Sequence, residues 1–215
     1  MIVEVCGMTD AENISKTVDS GADWIGFDFR KGSPKFIKLL PSKTGIIPDT
    51  PSKQLAMRTE PVRVGVFRNT MPQSVITLVY NYKIDVLQFE GEENPILLSN
   101  LRATIDPDIR KRIKIVKSVA VNGPESFSKC PAYYGCVDYF LFSFDDSVSK
   151  QWELLDGYRG DIPFLLKDRI GHDDSEAIRR IAHPLFAGVS IDDEFEVSCG
   201  IKDPALTASF IAKIK

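Results

Sequence analysis

The feature that most restricts the fold of this chain is a regular alternation of short apolar runs with amphipathic stretches. Eight runs rich in Val, Ile, Leu and Phe have the length and composition of buried strands. They lie at residues 2–5, 24–29, 62–67, 84–89, 113–119, 138–144, 162–166 and 186–191. Stretches with helical spacing separate most of them, and strands that alternate with helices predict a parallel sheet.

Eight such units predict closure into a (β/α)8 barrel, the TIM-barrel fold. The chain has 215 residues, fewer than the roughly 250 of a typical barrel, so we expect a compact, single-domain barrel over residues 1–215. Helices are predicted at about 11–19, 72–82, 95–103, 124–130, 149–156, 174–182 and 204–214. Residues 38–61 contain four prolines and a glycine, which predicts that helix two is largely replaced by a Pro-rich loop.

Charge and cysteine usage narrow the class of protein. The formal net charge is −3, which gives no indication of a nucleic-acid or membrane partner. No apolar run reaches the roughly 20 residues of a membrane span. The four cysteines have neither metal-site spacing nor the density of a disulfide framework. We therefore expect a cytoplasmic protein with no cofactor and no metal.

Cys6 lies where the first strand passes into the first helix. Gly7 ends the apolar run, and Thr9 with Glu12 has the spacing of a capping box. Active sites of α/β barrels lie at this end of the strands. A free cysteine is also a common buried apolar residue, so the residues alone leave open a catalytic thiol and a core residue.

Several motifs resemble the phosphoribosylanthranilate isomerase family. The first strand ends in Val-Cys-Gly-Met-Thr, the second strand reads Gly-Ala-Asp-Trp-Ile-Gly-Phe, and a Ser-Pro-Lys turn follows it. The similar stretches are 5–9, 21–27, 33–35, 63–67, 85–89 and 200–203. The resemblance implies an isomerase of tryptophan biosynthesis that converts phosphoribosylanthranilate to 1-(2-carboxyphenylamino)-1-deoxyribulose 5-phosphate by an Amadori rearrangement.

The resemblance also implies roles for residues. The cysteine that ends strand one, here Cys6, acts as the general base that removes the C2 proton. An Asp that ends strand six acts as the general acid, but this chain has Ser143 at that position. Asp145, two residues later, is our candidate for the acid, and we assign Ser143 to substrate contact; the other interpretation of Asp145 is a solvated turn residue.

The expected phosphate loops also depart from the family. Glycine-rich segments after strands seven and eight are replaced here by stretches that contain Lys167 and Arg169, and by an acidic stretch from Asp192. A carboxylate about 4 Å from a phosphate costs on the order of 4 kcal/mol at an effective dielectric of 20, unless a neighbouring cation compensates. Lys35 replaces the arginine that contacts the anthranilate carboxylate, and Glu90 replaces a histidine.

Two interpretations follow from these departures. In the first, the chain is a monomeric or homodimeric isomerase that binds a phosphorylated sugar amine through Lys35, Glu90, Ser143, Lys167, Arg169 and Asp192. In the second, it is a divergent paralogue on the same barrel that binds another ligand or lacks catalysis. Fold analogy alone does not choose between them.

Overall fold

The structure is a computed structural model that describes residues 1–37 and 61–215. Eight parallel strands form a closed barrel in chain order, which confirms the predicted fold class. The strands are β1 (Ile2–Val5), β2 (Trp24–Asp28), β3 (Val62–Phe67), β4 (Val86–Phe89), β5 (Lys114–Val121), β6 (Tyr139–Phe144), β7 (Phe164–Lys167) and β8 (Phe186–Ile191). The predicted Pro-rich loop falls almost entirely on residues 38–60, which lie outside the described part.

β1 closes the barrel because it pairs with both β2 and β8. Val5 is in register with Ile25 of β2 and with Ile191 of β8. Side chains of successive residues alternate between the barrel interior and the layer beneath the helices. Ile2 packs against the interior cluster, whereas Val3 and Val5 belong to the outer core. Residue 4 therefore faces the interior.

Two hydrophobic cores follow from this alternation. The outer core lies between the strands and the surrounding helices and contains most of the buried aromatic residues. The interior core fills the lower part of the barrel with a smaller set of residues: Trp24, Val64, Val86, Val116, Leu141 and Leu165. The upper part of the interior, at the carboxyl ends of the strands, is left to polar side chains.

The α-helices are α1 (Ala11–Asp19), α2 (Pro72–Tyr82), α3 (Pro95–Ile105), α4 (Ser175–Arg179) and α5 (Pro204–Ile214). Three of them begin with proline, whose missing N–H is not needed in the first turn. Asn94 and Asp203 cap α3 and α5 by accepting hydrogen bonds from first-turn N–H groups. The predicted capping box at Thr9 is wrong, because Asp10 caps α1 and accepts from the Asn13 N–H at 2.8 Å.

Several connections between strands contain 3-10 helices where α-helices or loops were predicted. 3-10 helices occupy Pro124–Tyr133, Asp146–Val148, Trp152–Gly157, His172–Asp174 and Asp193–Phe195. Pro131 lies inside the first of them and is incompatible with a regular α-helix there. A hairpin of β9 (Glu196–Ser198) and β10 (Ile201–Lys202) follows β8 and was not predicted. Among residues 1–37 and 61–215, no helix has the length and apolar character needed to span a membrane.

Candidate active site

The thiol of Cys6 lies in the upper barrel interior. Cys6 follows β1 directly, and its N–H donates to the Ile191 carbonyl of β8 at 2.9 Å. The side chain is 1% exposed. Gly26 of β2 faces it: a Cβ atom at Gly26 would lie 2.9 Å from the sulfur and 3.2 Å from Oε1 of Glu4. The thiol and the Glu4 carboxyl therefore border one space that the missing side chain leaves.

The protonation state of Cys6 differs from that of an activated thiolate. Burial raises the pKa of the Cys6 thiol well above its usual value, and the carboxylates of Glu4 and Asp192 add to this effect, while Lys167 opposes it. A free thiolate base needs a lowered pKa. At neutral pH Cys6 is therefore a neutral thiol in the ligand-free protein.

Glu90 connects two cations across the mouth of the barrel. Its carboxylate lies 2.7 Å from Lys167 Nζ and 2.5 Å from Arg30 Nη1, and it accepts from Gln88 Nε2 at 3.1 Å. Burial alone would raise the pKa of Glu90, but Lys167 and Arg30 outweigh it and hold the pKa below its usual range. The structure thus joins two predicted site residues, Glu90 and Lys167, in one ion pair.

Arg30 is a site residue that was not predicted from the sequence. It follows β2, and its guanidinium binds both oxygens of Asp28 at 2.9 and 2.6 Å. Asp28 is fully buried and also accepts from Ser33 Oγ at 2.6 Å. Burial would raise the pKa of Asp28, yet the bonds from Arg30 and Ser33 lower it. The position of Arg30 at a strand end, before the Ser-Pro turn, was the available signal.

Lys35 lies in an ion cluster instead of pointing freely toward a substrate. Its Nζ is 2.7 Å from both Asp192 and Glu196 and also contacts Asp193. Lys202 of β10 lies 2.6 Å from Asp192 and 2.7 Å from Glu196. Burial would raise the pKa of Asp192, but Lys202 and Lys35 outweigh it and lower the pKa.

This cluster neutralises the acidic stretch after β8. Lys202 and Lys35 supply the compensating charges, whereas Lys167 pairs elsewhere and Arg169 contacts a different carboxylate. The carboxylates of Asp192, Asp193 and Glu196 lie within 4.8 Å of one another. Two ammonium groups already bind this trio, so its chemistry is that of an ion-pair cluster and not of a free set of metal ligands.

The predicted acid and Arg169 lie outside these networks. Asp145 is exposed and caps the turn at Asp146–Val148, accepting from the Ser147 N–H at 3.1 Å and from Ser147 Oγ at 3.2 Å. Arg169 is exposed, 3.8 Å from Asp146. Ser143 is half-buried and is the register partner of Lys167. Lys167 therefore lies beside Ser143, the residue at the position where the family has its catalytic acid.

Comparison with known proteins identifies the family of this chain. A family model described as N-(5'phosphoribosyl)anthranilate (PRA) isomerase matches residues 3–213. A relative from Parabacteroides distasonis named N-(5'-phosphoribosyl)anthranilate isomerase is 34% identical, and the alignment covers 100% of this chain and 93% of the relative. A relative of the same name from Phocaeicola vulgatus is 27% identical, with coverage of 100% and 98%.

Solved structures support the same fold. The phosphoribosyl anthranilate isomerase from Thermotoga maritima has a TM-score of 0.75 at 23% identity, covering 100% of this chain and 98% of its own. A phosphoribosyl anthranilate isomerase crystallised with reduced 1-(o-carboxyphenylamino)-1-deoxyribulose 5-phosphate has a TM-score of 0.73 at 24% identity, with the same coverage. At this identity the two structures establish the barrel fold.

Proposed function

The chain belongs to the N-(5'-phosphoribosyl)anthranilate isomerase family, and from this premise we propose that it catalyses the family's rearrangement of phosphoribosylanthranilate to 1-(2-carboxyphenylamino)-1-deoxyribulose 5-phosphate in tryptophan biosynthesis. The observation that carries the proposal is the family match over residues 3–213. The position of the Cys6 thiol inside the barrel mouth, near Lys167 and Arg30, supports it, because this is where barrel enzymes bind their substrates.

The chemistry requires one proton to reach the ring oxygen and another to leave C2. We assign the removal of the C2 proton to Cys6. Protonation of the ring oxygen opens the furanose to a Schiff base, and we assign this step to Asp145. Since the Asp145 carboxylate caps a turn in the ligand-free protein, this role requires the turn at 145–148 to fold toward the substrate. A carboxylic acid is a competent donor once it leaves bulk solvent.

Binding of the two anionic ends of the substrate falls to the cations at the mouth. Arg30 and Lys167 flank Glu90 and are suited to the anthranilate carboxylate, with Ser143 beside Lys167 as a hydroxyl partner. On the other side, Lys35 lies against Asp192 and Asp193 after β8, where the resemblance expects the phosphate, so we assign it to the phosphate in place of the anthranilate carboxylate. In this role Lys35 exchanges Asp193 for the phosphate, while Asp192 stays paired with Lys202. Arg169 lies at the rim after β7, where an exposed guanidinium can attract a phosphorylated substrate.

The same proposal extends to the molecule as a whole. We propose that residues 1–215 act as one catalytic domain, as a monomer or homodimer, on a small phosphorylated sugar amine in the cytoplasm, without nucleic acid. The related isomerase from Thermotoga maritima is dimeric, and monomers generated from it have also been crystallised.

Complementation of a tryptophan auxotroph that lacks this isomerase tests the proposal, together with turnover measurements on the purified protein. We expect the chain to restore growth, and we expect Cys6→Ala to lower kcat at least about 10²-fold, the usual contribution of a positioned base. Asp145→Asn should lower it comparably. Cys199→Ala is the matched control, because Cys199 is an exposed thiol in the β9–β10 turn. Failure to complement overturns the function; growth that survives Cys6→Ala overturns the assignment of Cys6.

A further inference from the structure

Glu4 is a buried carboxyl group whose oxygens accept no well-formed hydrogen bond from the described residues, although the nearby Ser190 hydroxyl and the Lys167 ammonium favour its charged form. It lies in the middle of β1 on the interior face, and its side chain is fully buried. Neither Glu4 oxygen has a hydrogen bond of acceptable geometry, and no described cation lies within ion-pair distance of them. An uncompensated buried carboxyl is costly for a fold, so its presence beneath a candidate active site indicates a use.

The surroundings of Glu4 are polar but do not satisfy it. Its register partner on β8 is Ser190, whose Oγ is likewise without a hydrogen bond, as is Oε1 of Gln88 on β4. Lys167 of β7, Glu90 just after β4 and Asp192 just after β8 act on Glu4 through their charges, and Glu4 in turn acts on Cys6, which follows β1. Burial raises the pKa of Glu4 to about 7, although Ser190 and Lys167 oppose the rise.

Cys6 and Glu4 share the space in front of Gly26. The position of a Cβ atom there is 2.9 Å from Cys6 Sγ and 3.2 Å from Glu4 Oε1. Because Gly26 has no side chain, nothing from residue 26 occupies the space that the sulfur and the carboxyl oxygen both border. A side chain at position 26 would fill this shared space and contact both groups.

We propose that Glu4 is a positioning residue that accepts the Cys6 thiol proton while the sulfur takes the proton from C2 of the substrate. This inference rests on the proposed function. In the step, the C2–H bond breaks as a new S–H bond forms, and the original S–H bond breaks as an O–H bond forms on Glu4. The electron pair of the C2–H bond enters the enolamine, and the added proton leaves Glu4 for solvent after turnover.

The relay explains how a neutral thiol can serve as a base. A buried thiol can accept the C2 proton only if its own proton leaves at the same time. An acceptor whose pKa lies close to neutrality is matched to that task. Glu4 has this property and Cys6 alone does not.

Three variants test the inference. Glu4→Gln keeps the shape of the side chain and removes the acceptor, and we expect kcat to fall about 10²-fold with little change in KM. We expect kcat of the wild type to rise with pH through about 7, where Glu4 ionises, and this inflection to be missing in Glu4→Gln. Glu4→Asp should recover part of the activity. Thr17→Val, which removes an unpaired buried hydroxyl outside the barrel, should match the wild type.

A second measurement separates this inference from the proposed function. We measure the pH dependence of alkylation of Cys6 by iodoacetamide in ligand-free protein, resolved by peptide mass spectrometry. Loss of the Glu4 charge should lower the apparent pKa of Cys6 in Glu4→Gln. An inactive wild type overturns the proposed function, and the alkylation profile still decides the coupling of the two groups. An active wild type with unchanged kcat and pH profile in Glu4→Gln, or an unshifted alkylation profile, overturns the relay.

Discussion

The ammonium of Lys167 and the carboxylate of Glu90 form a 2.7 Å ion pair that crosses the barrel mouth from β7 to β4. These strands are not neighbours, so the pair exists only because the barrel is closed. The second oxygen of Glu90 binds Arg30, which follows β2. One carboxylate therefore fixes two cations at the place where the substrate's anionic groups are expected.

Removal of Lys167 should destabilise the protein. In Lys167→Met, the Glu90 carboxylate, 6% exposed, loses its lysine partner and keeps Arg30, with the exposed Arg68 farther away at 3.9 Å and the neutral amide of Gln88. Breaking one side of a buried ion pair costs about 3 kcal/mol, and urea unfolding measures this loss. Lys150→Met is the matched control, because its pair with Asp174 has a half-exposed lysine and should contribute less than about 1 kcal/mol. Equal effects of the two substitutions would contradict the buried role of Lys167.

Glu4 should make stability depend on pH. Its pKa is about 7 in the folded protein against an ordinary 4.5, so the folded state binds more protons than the unfolded state between these values. Its contribution is fully present below 4.5 and is lost as the pH rises through about 7, by about 3 kcal/mol in total.

Glu4→Gln carries no ionisable group and should lack this loss. Urea unfolding at about pH 5 and about pH 8 measures the difference in the free energy of unfolding for both proteins. The comparison uses the change in the free energy of unfolding between the two pH values within each protein. Any pH-independent destabilisation by the buried amide in Glu4→Gln therefore cancels. Parallel pH dependences of wild type and variant would show that Glu4 does not titrate in this range.

The strands could be predicted because a strand of a parallel barrel is buried on both faces, and its sequence is therefore a nearly continuous apolar run. β1, β3 and β8 have the limits that were predicted. Cys6 and Lys167 could be predicted to lie at the barrel mouth because each lies at the carboxyl end of a strand. Pairings across the barrel could not be predicted, since they depend on closure and side-chain direction. The β9–β10 hairpin, which brings Lys202 to Asp192, is too short and polar to be visible as a pattern.

The ion cluster around Lys35 should weaken phosphate binding. Asp193 is exposed but contacts Lys35, the cation proposed to receive the phosphate. Asp193→Asn removes this competing charge and should lower the inhibition constant of inorganic phosphate about fivefold, since a unit charge about 4 Å away contributes about 1 kcal/mol in water. The difference should shrink as salt is added.

Asp161→Asn is the control for this effect, because it removes the same charge from an exposed position at the opposite end of the barrel, before β7. It should leave the inhibition constant unchanged. If both substitutions strengthen inhibition equally, net charge and not the Lys35 contact governs phosphate affinity, and the proposed exchange at Lys35 is wrong.

Gly26→Ala tests the contact between Cys6 and Glu4 without removing either group. The added methyl would lie 2.9 Å from Cys6 Sγ and 3.0 Å from the Cys6 Cα atom, so it both blocks the shared space and crowds β1. Overpacking of this kind costs about 1–3 kcal/mol. We expect kcat to fall more than about tenfold and to lose its inflection near pH 7, because the methyl separates the thiol from its proton acceptor.

Gly65→Ala on β3 is the matched control for crowding. Its methyl would lie 2.8 Å from the Phe67 ring, in the outer core and away from the thiol. Both glycine variants should therefore lose similar stability in urea, yet only Gly26→Ala should lose turnover. Equal kcat values in the two variants would mean that crowding alone, and no proton transfer between Cys6 and Glu4, accounts for the effect.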